Sequence, residues 1–301
     1  MMSFFDYGEE IQNDTEFVIF GIPCDYLSSA QHASASEAPP KIREVTSNLA
    51  LSTEMGIEIP RLKVIDAGDI NIVDSDVELN LKEIDNFISK IYKTKLNIVL
   101  VTIGGDHFCT FPVVKSIGKN LNLADSFGIL IFDSHLDLYD EWDKGVYSHA
   151  TISHRIYDLD FIDNNNLLIV GTRDMDIPEL NIANEEHITH YDAFLFSDLG
   201  LQKLTNDIIN FFKNSKIKQL YVSIDIDVLD PSIAPATGYA IPGGLTYREL
   251  WHILRALAPN FNIIGFDLVE VAPNLDPPNN VTANLAAKLI IEFISFISHS
   301  I

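Results

Sequence analysis

The sequence predicts an α/β protein, a three-layer α/β/α sandwich around a mainly parallel central sheet. Three observations predict it. Short runs rich in Val, Ile, Leu and Phe recur along the chain. Longer stretches with apolar residues at helical spacing lie between them. Each run is followed at once by a Gly or polar segment. Strands that are apolar throughout are buried on both faces, as in a parallel sheet covered by helices.

The predicted strands are 16–22, 62–66, 97–103, 126–132, 167–171, 219–224 and 263–269. Between them, 39–51 reads as a helix because Pro39 and Pro40 suit a first turn. Residues 79–94 carry Leu81, Ile84, Phe87, Ile88 and Ile91 at helical spacing. Residues 204–214, 246–258 and 282–297 continue the alternation. Eight such units also fit a closed barrel, so the pattern leaves open sheet and barrel both standing. No repeat, low-complexity tract or Gly/Ser linker divides the chain, and 1–301 reads as one domain.

Composition sets limits on function. At 47% hydrophobic and 21% charged residues, the chain is ordinary globular material and not an acidic disordered tail. Its net charge of −23 argues against nucleic acid and anionic membranes, both of which need Lys and Arg. That charge suits cationic substrates or metal ions, although solubility alone explains most acidic chains. Cys24 and Cys109 cannot form a disulfide framework, which predicts a reducing, cytoplasmic setting. The start shows no secretory signal pattern. The apolar stretch 282–301 is interrupted by Asn284, Lys288 and Glu292, and reads as a buried or oligomer-facing helix.

In an open parallel sheet, ligands bind beyond the carboxyl ends of the strands. Four predicted strand ends carry unusual chemistry. Gly104-Gly105-Asp106-His107 follows one, and Asp133-Ser134-His135-Leu136-Asp137 follows another. Asp225-Ile226-Asp227 follows a third and Glu270 a fourth. In an extended segment alternate side chains share a face, so Asp133, His135 and Asp137 point together, as do Asp225 and Asp227. With His107 these make four carboxylates and two imidazoles. Such a cluster repels itself unless cations are present. Oxygen ligands with a few imidazoles suit manganese, and less well iron, cobalt or zinc. Six ligands saturate one metal, whereas two metals sharing carboxylates leave room for a water between them.

Each piece alone has a plainer reading. Asp at a strand end is usually a turn former, and a single buried His is usually a satisfied core residue. Three such pieces at successive strand ends do not fit that reading. Elsewhere, His154, His187, His190 and His252 show no ligand spacing and read as structural. His32 lies in the 28–43 loop and could face a pocket. Cys109 reads as a small packing residue rather than a nucleophile. Gly243-Gly244 reads as a tight loop.

These segments resemble the ureohydrolase family, which includes agmatinase and arginase. GGDHF at 104–108, FDSHLDLYD at 132–140 and SIDIDVLDPSIAPATGYAIPGGLT at 223–246 are similar to its three signatures, in order. GIPCD at 21–25, SHAT at 148–151 and VEVAP at 269–273 also have counterparts. The resemblance implies the arginase-like ureohydrolase fold and two Mn2+ per subunit. His107, Asp133, Asp137 and Asp225 would hold one ion. Asp133, His135, Asp225 and Asp227 would hold the other, with Asp133 and Asp225 bridging. It further implies that a hydroxide between the metals attacks a guanidinium carbon. Asp137 would carry the proton to the leaving amine, His149 would exchange protons there, and Glu270 would bind the guanidinium. Urea and a free amine would result. The family also implies trimers or hexamers.

Within the family, Tyr139 and the SHAT segment resemble agmatinase, making Tyr139 and His149 substrate contacts alongside Glu270. The expected reaction is agmatine to putrescine and urea. The chain departs from the agmatinase pattern at 28–43, which lacks an Arg-Gly element, and at Ala150, Ser153, Ala236, Tyr239 and Ala240. Guanidinobutyrase, arginase and formiminoglutamase remain alternatives within the class. A zinc deacetylase-type amidohydrolase is the alternative outside it.

Overall fold

Among the described residues, eight strands form one sheet in the order β2-β1-β3-β8-β7-β4-β5-β6. The structure is a computed structural model that describes residues 3–30, 32–121, 127–143 and 145–300. The strands are β1 (Phe17–Ile22), β2 (Val64–Asp69), β3 (Val99–Gly104), β4 (Phe127–Phe132), β5 (Leu167–Thr172), β6 (Thr189–Asp192), β7 (Gln219–Asp225) and β8 (Asn262–Val269). Every adjacent pair runs parallel. β2 and β6 are free edges, so the sheet is open and the barrel is excluded.

The helices are α1 (Ala38–Thr46), α2 (Val77–Thr94), α3 (Thr110–Leu121), α4 (Ile152–Tyr157), α5 (Ile177–Glu185), α6 (Leu195–Leu199), α7 (Leu201–Asn214), α8 (Tyr247–Leu257) and α9 (Val281–Ser298). Side chains alternate across the sheet into two separate cores. Leu130 and Phe132 of β4 pack with Ile42 of α1, Ile208 of α7, Leu254 of α8 and Phe293 of α9. Ile129 and Ile131 point the other way, to Ile88 of α2, Val114 of α3 and Ile156 of α4. Burial on both faces is why each strand reads as an unbroken apolar run.

All seven predicted strands are present with ends shifted by up to three residues; residue 126, the predicted start of one, lies outside the described residues. β6 was not predicted, because its sequence THYD is short, polar and only half-buried at an edge. α3 to α6 were not predicted either. The helix expected over 39–51 ends at Thr46, where Ser47 begins a turn. α2 starts where the Asp76 side chain accepts from the Leu79 N–H. α8 starts at a reciprocal cap between Thr246 and Glu249. α9 is long and apolar enough to cross a membrane, but most of it is buried against the body of the chain.

An ion cluster fastens the β2 edge. Arg43 of α1 is only 2% exposed, as is Asp66 of β2. Its Nε and Nη2 donate to Asp66 at 2.7 and 2.9 Å, and Nη1 donates to Asp69 at 2.5 Å. Asp66 also accepts from the Phe4 N–H at 2.7 Å, tying down the N-terminal segment.

Candidate metal centre

The four central strands β3, β8, β7 and β4 deliver the predicted residues to one place beyond their carboxyl ends. His107 lies in the short 3-10 turn after β3 and is 1% exposed. Its Nδ1 faces three carboxylate oxygens: Asp133 at 2.9 Å, Asp137 at 3.2 Å and Asp225 at 3.3 Å. One N–H cannot satisfy three acceptors, and Nδ1 has no acceptable hydrogen-bond partner among the described residues. A cation among these four donors removes the conflict, so the residues present fit a metal ion.

A second group adjoins it. His135 Nδ1 lies 3.3 Å from Asp133 Oδ1 and 3.1 Å from Asp227 Oδ2. Asp133 therefore divides its two oxygens, Oδ2 toward His107 and Oδ1 toward His135. Each group gathers enough ligand atoms to hold an ion. Asp225 turns Oδ2 to His107, and its Oδ1 accepts from the Asp227 N–H at 2.8 Å. Among the described residues, no ring nitrogen of His135 lies within ion-pair distance of Asp225.

The gathering does not arise from extended backbone, as strand alternation predicts. Residues 133–138 leave the sheet, and Asp137 has φ 51°. Residues 226–228 form a 3-10 turn that begins at Asp225. These turns bring the carboxylates together because their backbone amides satisfy one oxygen of each. His135 N donates to Asp133, Ser134 N to Asp227, and Asp227 N to Asp225.

Charge and burial act together here. Burial lowers the basicity of His107, but the close carboxylates of Asp133, Asp137 and Asp225 outweigh that and hold it well above an ordinary imidazole. Burial raises Asp137 and Asp225, helped by neighbouring carboxylates. Burial also raises Asp133, but contact with His107 and His135 wins, leaving it below the ordinary range. Behind His107, Nε2 lies 3.0 Å from Ser223 Oγ, which donates to Asp267 at 2.6 Å. Tyr221 donates to the same carboxylate at 2.7 Å. This buried chain fixes the ring with Nδ1 toward the carboxylates.

A cavity of about 170 Å³ opens onto the second group. His135, Asp137, Tyr139 and His149 line it, together with Ser29, Trp142, Ala150, Asp174, Asp176, Glu179 and Tyr239. His149 is buried, which lowers its pKa to about 4. Its ring stacks on Tyr239 at 6.1 Å, and Nε2 lies 3.3 Å from Ser29 Oγ. The Tyr139 hydroxyl is engaged by Asp176, and its ring packs 4.4 Å from Trp142. Glu270 is not among the lining residues; it is buried behind them, with φ 63°, accepting from the His107 N–H at 2.8 Å. His32 is not there either, since its Nε2 meets Gly238 O at 3.1 Å. The predicted structural histidine His154 bonds Leu138 O.

Sequence reasoning missed Asp174, Asp176 and Glu179. The strand-end rule applied to β5 finds the first two, because Arg173-Asp174-Met175-Asp176 follows that strand directly. Trp142 and Ser29 have no comparable signal.

An open parallel sheet with paired imidazole–carboxylate groups beyond its central strands defines a metal-site α/β protein. The chain belongs to the arginase family, whose model matches residues 15–295. It is 33% identical over 290 residues to a mitochondrial arginase from Medicago truncatula, covering 93% of this chain and 81% of that protein. It is 32% identical over 285 residues to an agmatinase from Bacillus anthracis, covering 93% and 91%. The crystal structure of formimidoylglutamase from Bacillus subtilis superposes with a TM-score of 0.87 at 25% identity, covering 96% of this chain and 88% of that one. The arginase-like ureohydrolase fold expected from the sequence is the fold observed.

Proposed function

We propose that the protein is a binuclear manganese hydrolase that cleaves agmatine to putrescine and urea. The carrying observation is the acidic cavity beside the Asp133 pair of groups. Asp174, Asp176 and Glu179 line it, and among the described residues no Lys or Arg does. A substrate whose far end is an ammonium suits that wall; one ending in a carboxylate meets repulsion there.

The donor set His107, Asp133, His135, Asp137, Asp225 and Asp227 is rich in oxygen, which favours manganese among divalent metals. When bound, the ions lower the pKa of a water and offset the carboxylate repulsion. Glu270, buried behind the cavity with one oxygen held by the His107 N–H, would turn its other oxygen to the guanidinium. Trp142 and Tyr139 supply an apolar wall for the methylene chain. Asp137 accepts a proton from the attacking water and delivers it to the departing nitrogen. His149, neutral at pH 7, exchanges protons with solvent through Ser29 and Tyr239. The water oxygen adds to the guanidinium carbon, the C–N bond to the alkyl amine breaks, and urea leaves.

Relatives named for arginine and neighbours named for formimidoylglutamate match about as well, so the test compares substrates. Urea release from agmatine, arginine and guanidinobutyrate is measured side by side, with formimidoylglutamate turnover in parallel. Agmatine should have the highest kcat/KM. A clear preference for any substrate ending in a carboxylate would refute the reading of the cavity wall.

A further inference from the structure

Beside the metal centre, on the ends of β1 and β3, lies a second kind of cluster. Cys24, Asp106 and Cys109 each turn a ligand atom to a common point, all within 4.8 Å of one another. Their exposures are 3%, 0% and 0%. Both carboxylate oxygens of Asp106 lack any hydrogen-bond partner among the described residues. A buried, unpaired carboxylate is costly, and two thiols are weak donors. Nothing in the mechanism above uses these three side chains.

The backbone holds the cluster closed. Asp106 N donates to Cys24 O at 2.7 Å, and Cys109 N donates to Asp106 O at 3.2 Å. A Cβ on Gly105 would stand 1.9 Å from Cys24 O, so only glycine lets the two loops meet. Cys109 Sγ lies 3.5 Å from Ile22 O. That carbonyl also accepts from the Cys24 N–H at 2.9 Å, so three side chains supply the ligand atoms. Asp25, the next residue after Cys24, turns instead to Ser36.

We propose that Cys24, Asp106 and Cys109 hold a zinc-class cation in a closed structural site, separate from the two groups around Asp133. Sulfur donors select a softer ion than the oxygen-rich groups nearby, so one chain would carry two classes of metal. All three side chains are shut off from solvent and from the cavity, which makes the site structural rather than catalytic. It pins β1 to β3 and fixes Asp106, the residue before His107.

The test uses the purified full chain, stripped by a strong chelator and reloaded with Co2+ alone. Thiolate-bound cobalt gives a charge-transfer absorption in the near ultraviolet, which the oxygen-rich groups cannot give. The wild type should show this band with the intensity of one thiolate-bound cobalt per chain once all sites are filled, and Zn2+ but not Mn2+ should abolish it. Cys24→Ala and Cys109→Ala, made separately and checked for folding by circular dichroism, should each lose the band and that equivalent only. Loss of the other cobalt equivalents with the band retained would count against the binuclear reading and leave this site standing. Absence of the band in the wild type, its survival in both folded variants, or a Cys24–Cys109 disulfide in the protein as isolated would overturn the proposal.

Discussion

Asp133 Oδ2 stands 2.9 Å from His107 Nδ1, with both side chains 1% exposed. They come from different strand ends, and no water-facing surface lets either group shed its charge. If cations join them, the stripped chain should gain stability from metal by mass action. Adding Mn2+ should raise Tm in the wild type and leave Asp133→Asn nearly unmoved. An equal rise in both would remove Asp133 from the centre.

Asp225→Ala and His135→Ala should abolish turnover while circular dichroism and the unfolding transition report an intact fold. Each deletes a donor at or just past a strand end, where the backbone pairing of the sheet does not depend on the side chain. Turnover close to wild type in either variant would rule out the proposed ligand set.

The cavity wall predicts a split between substrates. Asp176→Asn removes one of the carboxylates that line the cavity. A charge-assisted contact is worth about 1.5–3 kcal/mol, so kcat/KM for agmatine should fall about tenfold or more, mainly through KM. Arginine turnover should gain relative to agmatine turnover. Unchanged selectivity would place the ammonium elsewhere.

Acid should find His149. Burial lowers it from 6.5 to about 4. Above 6.5 the imidazole is neutral in both folded and unfolded chains, and its contribution is full. Between 6.5 and 4 the unfolded chain takes a proton that the folded chain refuses, so stability falls as pH falls. The loss reaches about 3 kcal/mol below pH 4. Urea midpoints measured across that range should fall less steeply in His149→Asn. Parallel slopes would show that this ring contributes nothing to acid sensitivity.

Arg43 is the residue whose loss the fold should least tolerate. Removing it strands Asp66 in the core without its partner. Breaking a buried pair costs about 3–5 kcal/mol, which Arg43→Met should show in urea denaturation. The double variant Arg43→Met with Asp66→Asn should recover part of it.

The sheet was legible because its strands are buried on both faces, which leaves unbroken apolar runs. β6 was not, since an edge strand of four half-buried residues carries no such signature. The metal-centre residues were legible because the chain places them where a parallel sheet opens. Their convergence does not come from an extended backbone. Turns at 133–138 and 226–228 gather them, and alternation along a strand does not. The cavity wall was less legible: Asp176 sits after a plain apolar strand, and Trp142 and Ser29 join it only through tertiary packing.

The most direct test is urea release from agmatine as Mn2+ is titrated into the stripped chain. No urea should form without metal, and its release should rise and saturate at two equivalents per chain. Saturation at one equivalent, or urea formed by the metal-free chain, would contradict the binuclear reading.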